Sequence, residues 1–297
     1  MVHTNLALSD ASRGAVVVTG ASTGIGRACA LSLDTMGFRV FAGVRKSEDG
    51  ESLGIASSSR LTPVFIDVTD EQSIATAAAE ASRAVGDAGL AGLVNNAGVA
   101  VPGPLEYLPL EELRRQLEIN LVGQLAVIQD FLPLLRKAQG RIVNVSSLAG
   151  KLTTPFNGAY SAAKHGLEAF SDALRMELAP WGIRVCVVEP GTIATAMSRK
   201  LLRDADAVLN TLPPDGRERY GSAFKTYART LAAHAQAGSP PEVVSRAVVH
   251  AITAPNPRTR YPAGVPARRM LALYRLLPDR LLDRVILGAF KLRRQAS

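Results

Sequence analysis

The sequence has little of what several protein classes require. Cysteine occurs twice in 297 residues, as Cys29 and Cys186, both inside apolar runs. Such a pair is no disulfide framework; each reads as a small buried hydrophobe. The histidines His3, His165, His234 and His250 are scattered and no Cys/His group has ligand spacing, so no metal site is expected. No Gly-x-y period exists, which excludes a collagen-like fibre. The longest uncharged stretch, Gly89 to Leu105, is interrupted by Gly, Asn and Pro and is too irregular to span a bilayer. Met1 to Arg13 has neither a basic start nor an apolar stretch of signal-peptide length, so a cytoplasmic protein is expected.

What is present suffices for a large core, with 47% hydrophobic residues against 20% charged. The net charge of +8 is unevenly placed: Arg268 to Ser297 holds seven Arg and one Lys against two Asp, which is +6 of it. No nucleic-acid recognition motif accompanies that charge, and no nucleic-acid partner is expected.

Short β-branched runs alternate with longer helical segments. The predicted strands are Ala15–Thr19, Arg39–Val44, Leu61–Asp67, Gly92–Asn95, Arg141–Ser146 and Ile183–Glu189, continuous apolar runs of the kind buried on both faces. Helices are predicted at Gly24–Met36, Asp70–Val85, Leu110–Ala138, Ala159–Trp181 and Pro241–Thr253, with a last edge strand at Arg260-Tyr261-Pro262. This alternation predicts an α/β fold, a doubly wound parallel sheet of Rossmann type. One domain is expected over 1–297: a core over 14–262, a mobile helical lid over 195–239 and a basic helical tail over 267–297.

The first strand runs into Thr19-Gly20-Ala21-Ser22-Thr23-Gly24-Ile25-Gly26 and then a helix. Glycines at these places permit a tight turn and a close backbone approach, while the helix N-terminus offers free N–H groups to a pyrophosphate. A bare structural turn would use the same residues, but strand, loop and helix together point to a dinucleotide. The second strand ends Gly43-Val44-Arg45-Lys46, where an acidic residue would read the ribose of NAD. A guanidinium at Arg45 suits a 2′-phosphate instead, which favours NADP(H) and leaves NAD possible.

Tyr160 and Lys164 lie four apart in a predicted helix and so leave one face. An ammonium beside a phenol stabilises the phenolate, but bringing its pKa from ~10 to ~7 needs about 4 kcal/mol, which demands a sheltered site. Ser147 closes the fifth strand, Asn95-Asn96-Ala97-Gly98 the fourth and Pro190-Gly191-Thr192-Ile193-Ala194-Thr195 the sixth. Reactive groups of open α/β sheets collect at those carboxyl ends. Asn120 is a poor choice for the helix interior it occupies.

These five motifs, in this order and at these intervals, resemble the short-chain dehydrogenase/reductase family over about Gly14 to Met197. The resemblance implies a tetrad of Asn120, Ser147, Tyr160 and Lys164. It also implies cofactor contacts from the loop Gly20, Ser22, Thr23, Gly24, Ile25 and Gly26, from Asp67 and Val68 at the adenine, and from Asn96, Ala97 and Gly98. Ile193 and Thr195 would meet the carboxamide. In such a site Tyr160 exchanges the substrate's proton, Ser147 orients its oxygen, Lys164 also holds the ribose and Asn120 holds a water. Gly86 to Leu90 and Pro155-Phe156-Asn157 look like the branch containing hydroxysteroid and retinol dehydrogenases. Dimers or tetramers through Leu110–Ala138 and Ala159–Trp181 are implied as well.

Phe156 and Met197 are the expected substrate contacts, and Leu201, Leu202, Leu209, Leu212, Phe224 and Tyr227 could line an apolar cleft or simply pack. The branch resemblance suggests a steroid, retinoid or lipid-like alcohol or ketone. The tail's apolar series, Leu277, Leu281, Leu282, Val285, Ile286 and Ala289, suits a helix folded on its own domain or a subunit better than a peripheral membrane contact, since Asp279 and Asp283 allow local ion pairs. A catalytically silent dinucleotide-binding regulator or scaffold is the alternative function.

Overall fold

The computed structural model describes residues 13–195 and 203–292. Seven parallel strands form one sheet in the order β3-β2-β1-β4-β5-β6-β7. They are β1 (Ala15–Val18), β2 (Arg39–Val44), β3 (Leu61–Phe65), β4 (Gly92–Asn95), β5 (Arg141–Val145), β6 (Arg184–Pro190) and β7 (Arg260–Ala263). The strand order reverses at β1 and β4, and the crevice beyond their carboxyl ends is where such sheets bind ligands. The sheet is therefore doubly wound and of Rossmann type, as predicted.

Successive side chains of a strand serve opposite faces. Val16, Val18, Val40 and Val94 pack with α1 (Gly24–Thr35) on one side, while Val17, Phe41, Leu93 and Ile142 pack with α3 (Glu71–Val85) and α5 (Gly123–Ala138) on the other. Among the runs predicted as continuous and apolar, β3 departs. Only its Leu61 and Val64 are buried and it carries Pro63, both of which suit its edge position. The expectation of continuous burial is corrected there.

Two further departures bear on function. The sequence predicts one helix over Leu110–Ala138, but the chain forms α4 (Leu110–Leu117), a π-turn over Glu118–Val122 and then α5. The short helix α2 (Ser47–Ile55) was not predicted; its Ser-Glu-Asp-Gly start lacks apolar periodicity and it buries only Gly50 and Leu53.

The described part of the lid forms α7 (Ala205–Thr211) and α8 (Pro214–Gln236), which follow α6 (Gly158–Glu177). Leu209, Leu212, Phe224 and Tyr227 are buried in a third core with Phe156 and with Leu282, Ile286 and Phe290 of the tail. Those tail residues belong to α11 (Asp279–Ala289) and its C-cap, beyond α9 (Glu242–Thr253) and α10 (Ala267–Leu276). Packing, rather than lining an open cleft, is thus what these four residues do, and the tail folds back on its own lid. Among the described residues no helix is long and apolar enough to cross a membrane.

Candidate active site

The turn after β1 is built around two positive-φ glycines, Gly20 at 62° and Gly24 at 55°. Gly26 is fixed by space instead, since a Cβ there would stand 2.1 Å from the Gly20 carbonyl and 2.4 Å from Asn96 Nδ2. Asn96 ties the two turns together: its Nδ2 donates to the carbonyls of Thr19 at 3.0 Å and Gly20 at 3.1 Å. Thr19 Oγ1 in turn accepts from the backbone N–H groups of Asn96 and Ala97. Thr23 is the extended N-cap of α1, yet no side chain caps the helix. Its first N–H groups are thereby left for an anion.

These residues line a crevice of about 670 Å³ that continues past Asn96, Ala97 and Gly98 to Ser147, Tyr160 and Lys164. Pro190, Gly191, Ile193 and Thr195 form its far wall, Thr195 standing over Gly24, where an added Cβ would meet its Cγ2 at 3.5 Å. At the other end lie Val44, Arg45, Asp67 and Val68. Arg45 is exposed and its Nη1 lies 3.9 Å from Asp67 Oδ2, so the guanidinium leans across the crevice mouth. Asp67 Oδ1 accepts from the Thr69 N–H and hydroxyl. The uncapped helix end, the cradle at Gly20 and Gly26, and the Ser146 hydroxyl, buried in the crevice wall without a partner, all fit an elongated phosphate-bearing dinucleotide.

The reactive groups meet at the end of β5. Ser147 Oγ accepts from the Ala149 N–H at 3.1 Å, which fixes its turn, and Ser147 shares the crevice with Tyr160. Lys164 is buried one turn along α6; its Nζ donates to the Val145 carbonyl at 2.8 Å and lies 5.8 Å from the Tyr160 ring centroid. Burial lowers Lys164 to about 8, with the carboxylate of Glu168 pulling the other way. Burial pushes the Tyr160 phenol above its ordinary value, and the neighbouring Ser147 hydroxyl opposes this. The protein's own groups thus keep the phenol protonated at neutral pH.

Asn120 does not reach the crevice. It is fully buried in the π-turn, where its Oδ1 accepts from the Val99 N–H and its Nδ2 donates to the Val99 carbonyl, both at 2.9 Å. Two residues the sequence reading passed over do the same work. Gln116 bonds Val99 and Val101, and Gln124 bonds the carbonyls of Ala97 and Ile119. Three buried amides at four-residue spacing therefore clamp the strand extension behind Asn96 to Gly98. That spacing of Gln, Asn and Gln in an apolar helix was the available signal.

Phe156 sits in the left-handed region at φ 62° and turns into the lid core, its ring 5.4 Å from Phe224 and 5.5 Å from Tyr227. It couples the Ser147–Tyr160 connection to the lid and does not line the cofactor crevice. Met197, Leu201 and Leu202 lie outside the described residues.

The family model of short chain dehydrogenases matches residues 14–206. The chain belongs to this family. Retinol dehydrogenase 5 of Homo sapiens is 41% identical over 282 residues, which cover 93% of this chain and 88% of that protein. The 17-beta-hydroxysteroid dehydrogenase type 6 of Bos taurus is 40% identical over 276 residues, covering 91% and 87%. Among solved structures, a short-chain dehydrogenase from Burkholderia cenocepacia J2315 in complex with NADP superposes with a TM-score of 0.70 at 28% identity, over 96% of this chain and 99% of that one. This short-chain dehydrogenase thus falls in the hydroxysteroid and retinol dehydrogenase branch, and is an NAD(P)-dependent enzyme interconverting hydroxyl and carbonyl groups. No finding supports the silent regulator or scaffold.

Proposed function

We propose that the enzyme acts on a hydrophobic secondary alcohol or ketone of steroid, retinoid or lipid-like type, with NADP(H) preferred and Tyr160 as general acid/base. The observation that carries the reading is that Ser147, Tyr160 and Lys164 line the same crevice as the glycine turn. Ser147 would hold the substrate oxygen, and Tyr160 would take the hydroxyl proton in oxidation and return it in reduction. Lys164 would hold the nicotinamide ribose and supply positive charge near the phenol. Asn120 would keep the crevice wall in register through its two bonds to Val99. When bound, the nicotinamide ring exchanges the hydride and, oxidised, adds the positive charge the phenolate lacks. The loop from Gly20 to Gly26, with Asp67, Val68, Asn96 to Gly98 and Pro190 to Thr195, would hold the dinucleotide. Phe156 and Met197 would border the substrate.

The steroid and retinoid classes rest on the relatives' names and on the apolar lid, whose Phe156 adjoins the site. NADP(H) rests on Arg45 at the crevice mouth with no acid at Val44. Purified enzyme is to be assayed with NADPH and NADH against retinaldehyde, a steroid ketone and an aldose. Turnover of retinaldehyde or the steroid ketone is expected, faster at low NADPH than at low NADH; activity confined to the aldose overturns the apolar substrate. Arg45→Glu should raise the NADPH Kd about tenfold or more and spare NADH, given the strength of a charge-assisted pair. An unchanged NADPH/NADH ratio would refute the role of Arg45.

A further inference from the structure

A second cavity, of about 560 Å³, lies at the opposite edge of the sheet between α9, β7 and the start of α10. Four exposed arginines are among its lining residues: Arg246, Arg258, Arg268 and Arg269. His250 joins them, and the wall contains no Asp or Glu. None of the four guanidiniums has an ion pair or side-chain hydrogen bond among the described residues. Several arginines elsewhere are paired, as in Arg60–Asp34, Arg115–Glu112, Arg175–Asp172 and Arg219–Glu106, whereas these four gather around one concavity with no acid in its lining. Four like charges converging on one concavity repel one another unless an anion joins them.

The groove is also built rather than draped. The Tyr261 hydroxyl accepts the Arg258 N–H at 2.8 Å and meets His250 Nδ1 at 3.0 Å, which pins both residues to the buried edge strand. Between the cations the floor is apolar, formed by Val243, Ala247, Pro262 and Ala263. A low-dielectric floor strengthens the field of the cations above it, and the planar guanidinium fork matches phosphate oxygens. From this arrangement we propose that the groove binds a phosphate group, either free as a small phosphomonoester or carried as the headgroup of a phospholipid. The site is separate from the dinucleotide crevice, with which it shares no lining residue.

Binding of inorganic phosphate and glycerol 3-phosphate is to be measured by calorimetry, and sedimentation with phosphatidylcholine vesicles, with and without phosphatidic acid, by centrifugation. The double variants Arg268→Glu/Arg269→Glu and Arg246→Glu/Arg258→Glu are compared with wild type. Arg83→Glu/Arg229→Glu, an equal charge change on distant exposed arginines, is the control. Binding weakened about tenfold or more in both groove variants and kept in the control is expected, since several charge-assisted bonds are lost together. Loss of phosphate and glycerol 3-phosphate identifies a free ligand; loss confined to vesicles with phosphatidic acid identifies a headgroup. Melting temperature and cofactor affinity show whether the variants fold, and Arg→Gln versions replace any that do not. Equal loss in the control, binding that survives in the groove variants, or no binding of any probe overturns the proposal. So does a groove variant that changes only the molecular mass in solution, which would assign the surface to a second copy of the chain.

Discussion

Lys164 is 4% exposed and carries its ammonium against a backbone carbonyl with Glu168 one turn away. Its ordinary value of 10.5 falls to about 8 through burial. Between these values the unfolded chain holds a proton that the folded chain has released, so stability rises with pH across that window. Below about pH 8 the buried charge costs stability in full. Replacing it by an apolar side chain removes that cost. Lys164→Met should therefore gain on wild type by about 2 kcal/mol more at pH 7 than at pH 10 in denaturant melts, while activity is lost. A pH-independent difference would show that the lysine is not buried as charge. Tyr160 and Lys164 were legible because four-residue spacing on a helix fixes a shared face. The direction of the phenol's shift was not, because burial is a property of the folded surroundings.

At the level of elements, β7 is locked to the catalytic helix by one side chain. Arg260 pairs with Glu168 and Asp172 of α6 and with Glu189 of β6, and Lys151 adds a second cation to Glu168 at 3.0 Å. Glu168 and Glu189 are almost wholly buried, and burial with the neighbouring Glu168 charge raises Glu189 despite Arg260. Removing one partner of such a cluster leaves uncompensated buried charge. Arg260→Met is expected to cost about 3 kcal/mol or more at pH 7 and less near pH 4, where Glu189, held above its ordinary value by burial, takes up a proton; an equal cost at both would remove the electrostatic account. Strands β1, β2, β4, β5 and β6 could be read from their continuous apolar runs. The π-turn could not, because it arises from contacts of Asn120 and Gln124 with residues far away in sequence. For Leu209, Phe224 and Tyr227 the sequence leaves lining a cleft and packing both open, and the return of the tail over them decides for packing.

For the whole molecule, exposed apolar side chains occur both in the basic tail, as Leu276 and Leu281, and on the helices that flank the site. Leu110, Val122 and Met176 are exposed on α4, the π-turn and α6, the helices through which the family resemblance implies assembly. We propose a homo-oligomer through that face. Sedimentation equilibrium should give at least twice the chain mass, reduced by Val122→Glu/Met176→Glu; a wild-type monomer would contradict it. The cytoplasmic expectation goes no further than the absence of a membrane-spanning helix among the described residues.

The most direct test of the central claim separates proton transfer from cofactor binding. Tyr160→Phe keeps the ring and removes only the hydroxyl that faces Ser147's crevice. Turnover should fall by about 10²-fold or more, while NADPH binding, followed by its fluorescence, stays within about twofold of wild type. Retained turnover in this variant would contradict the account.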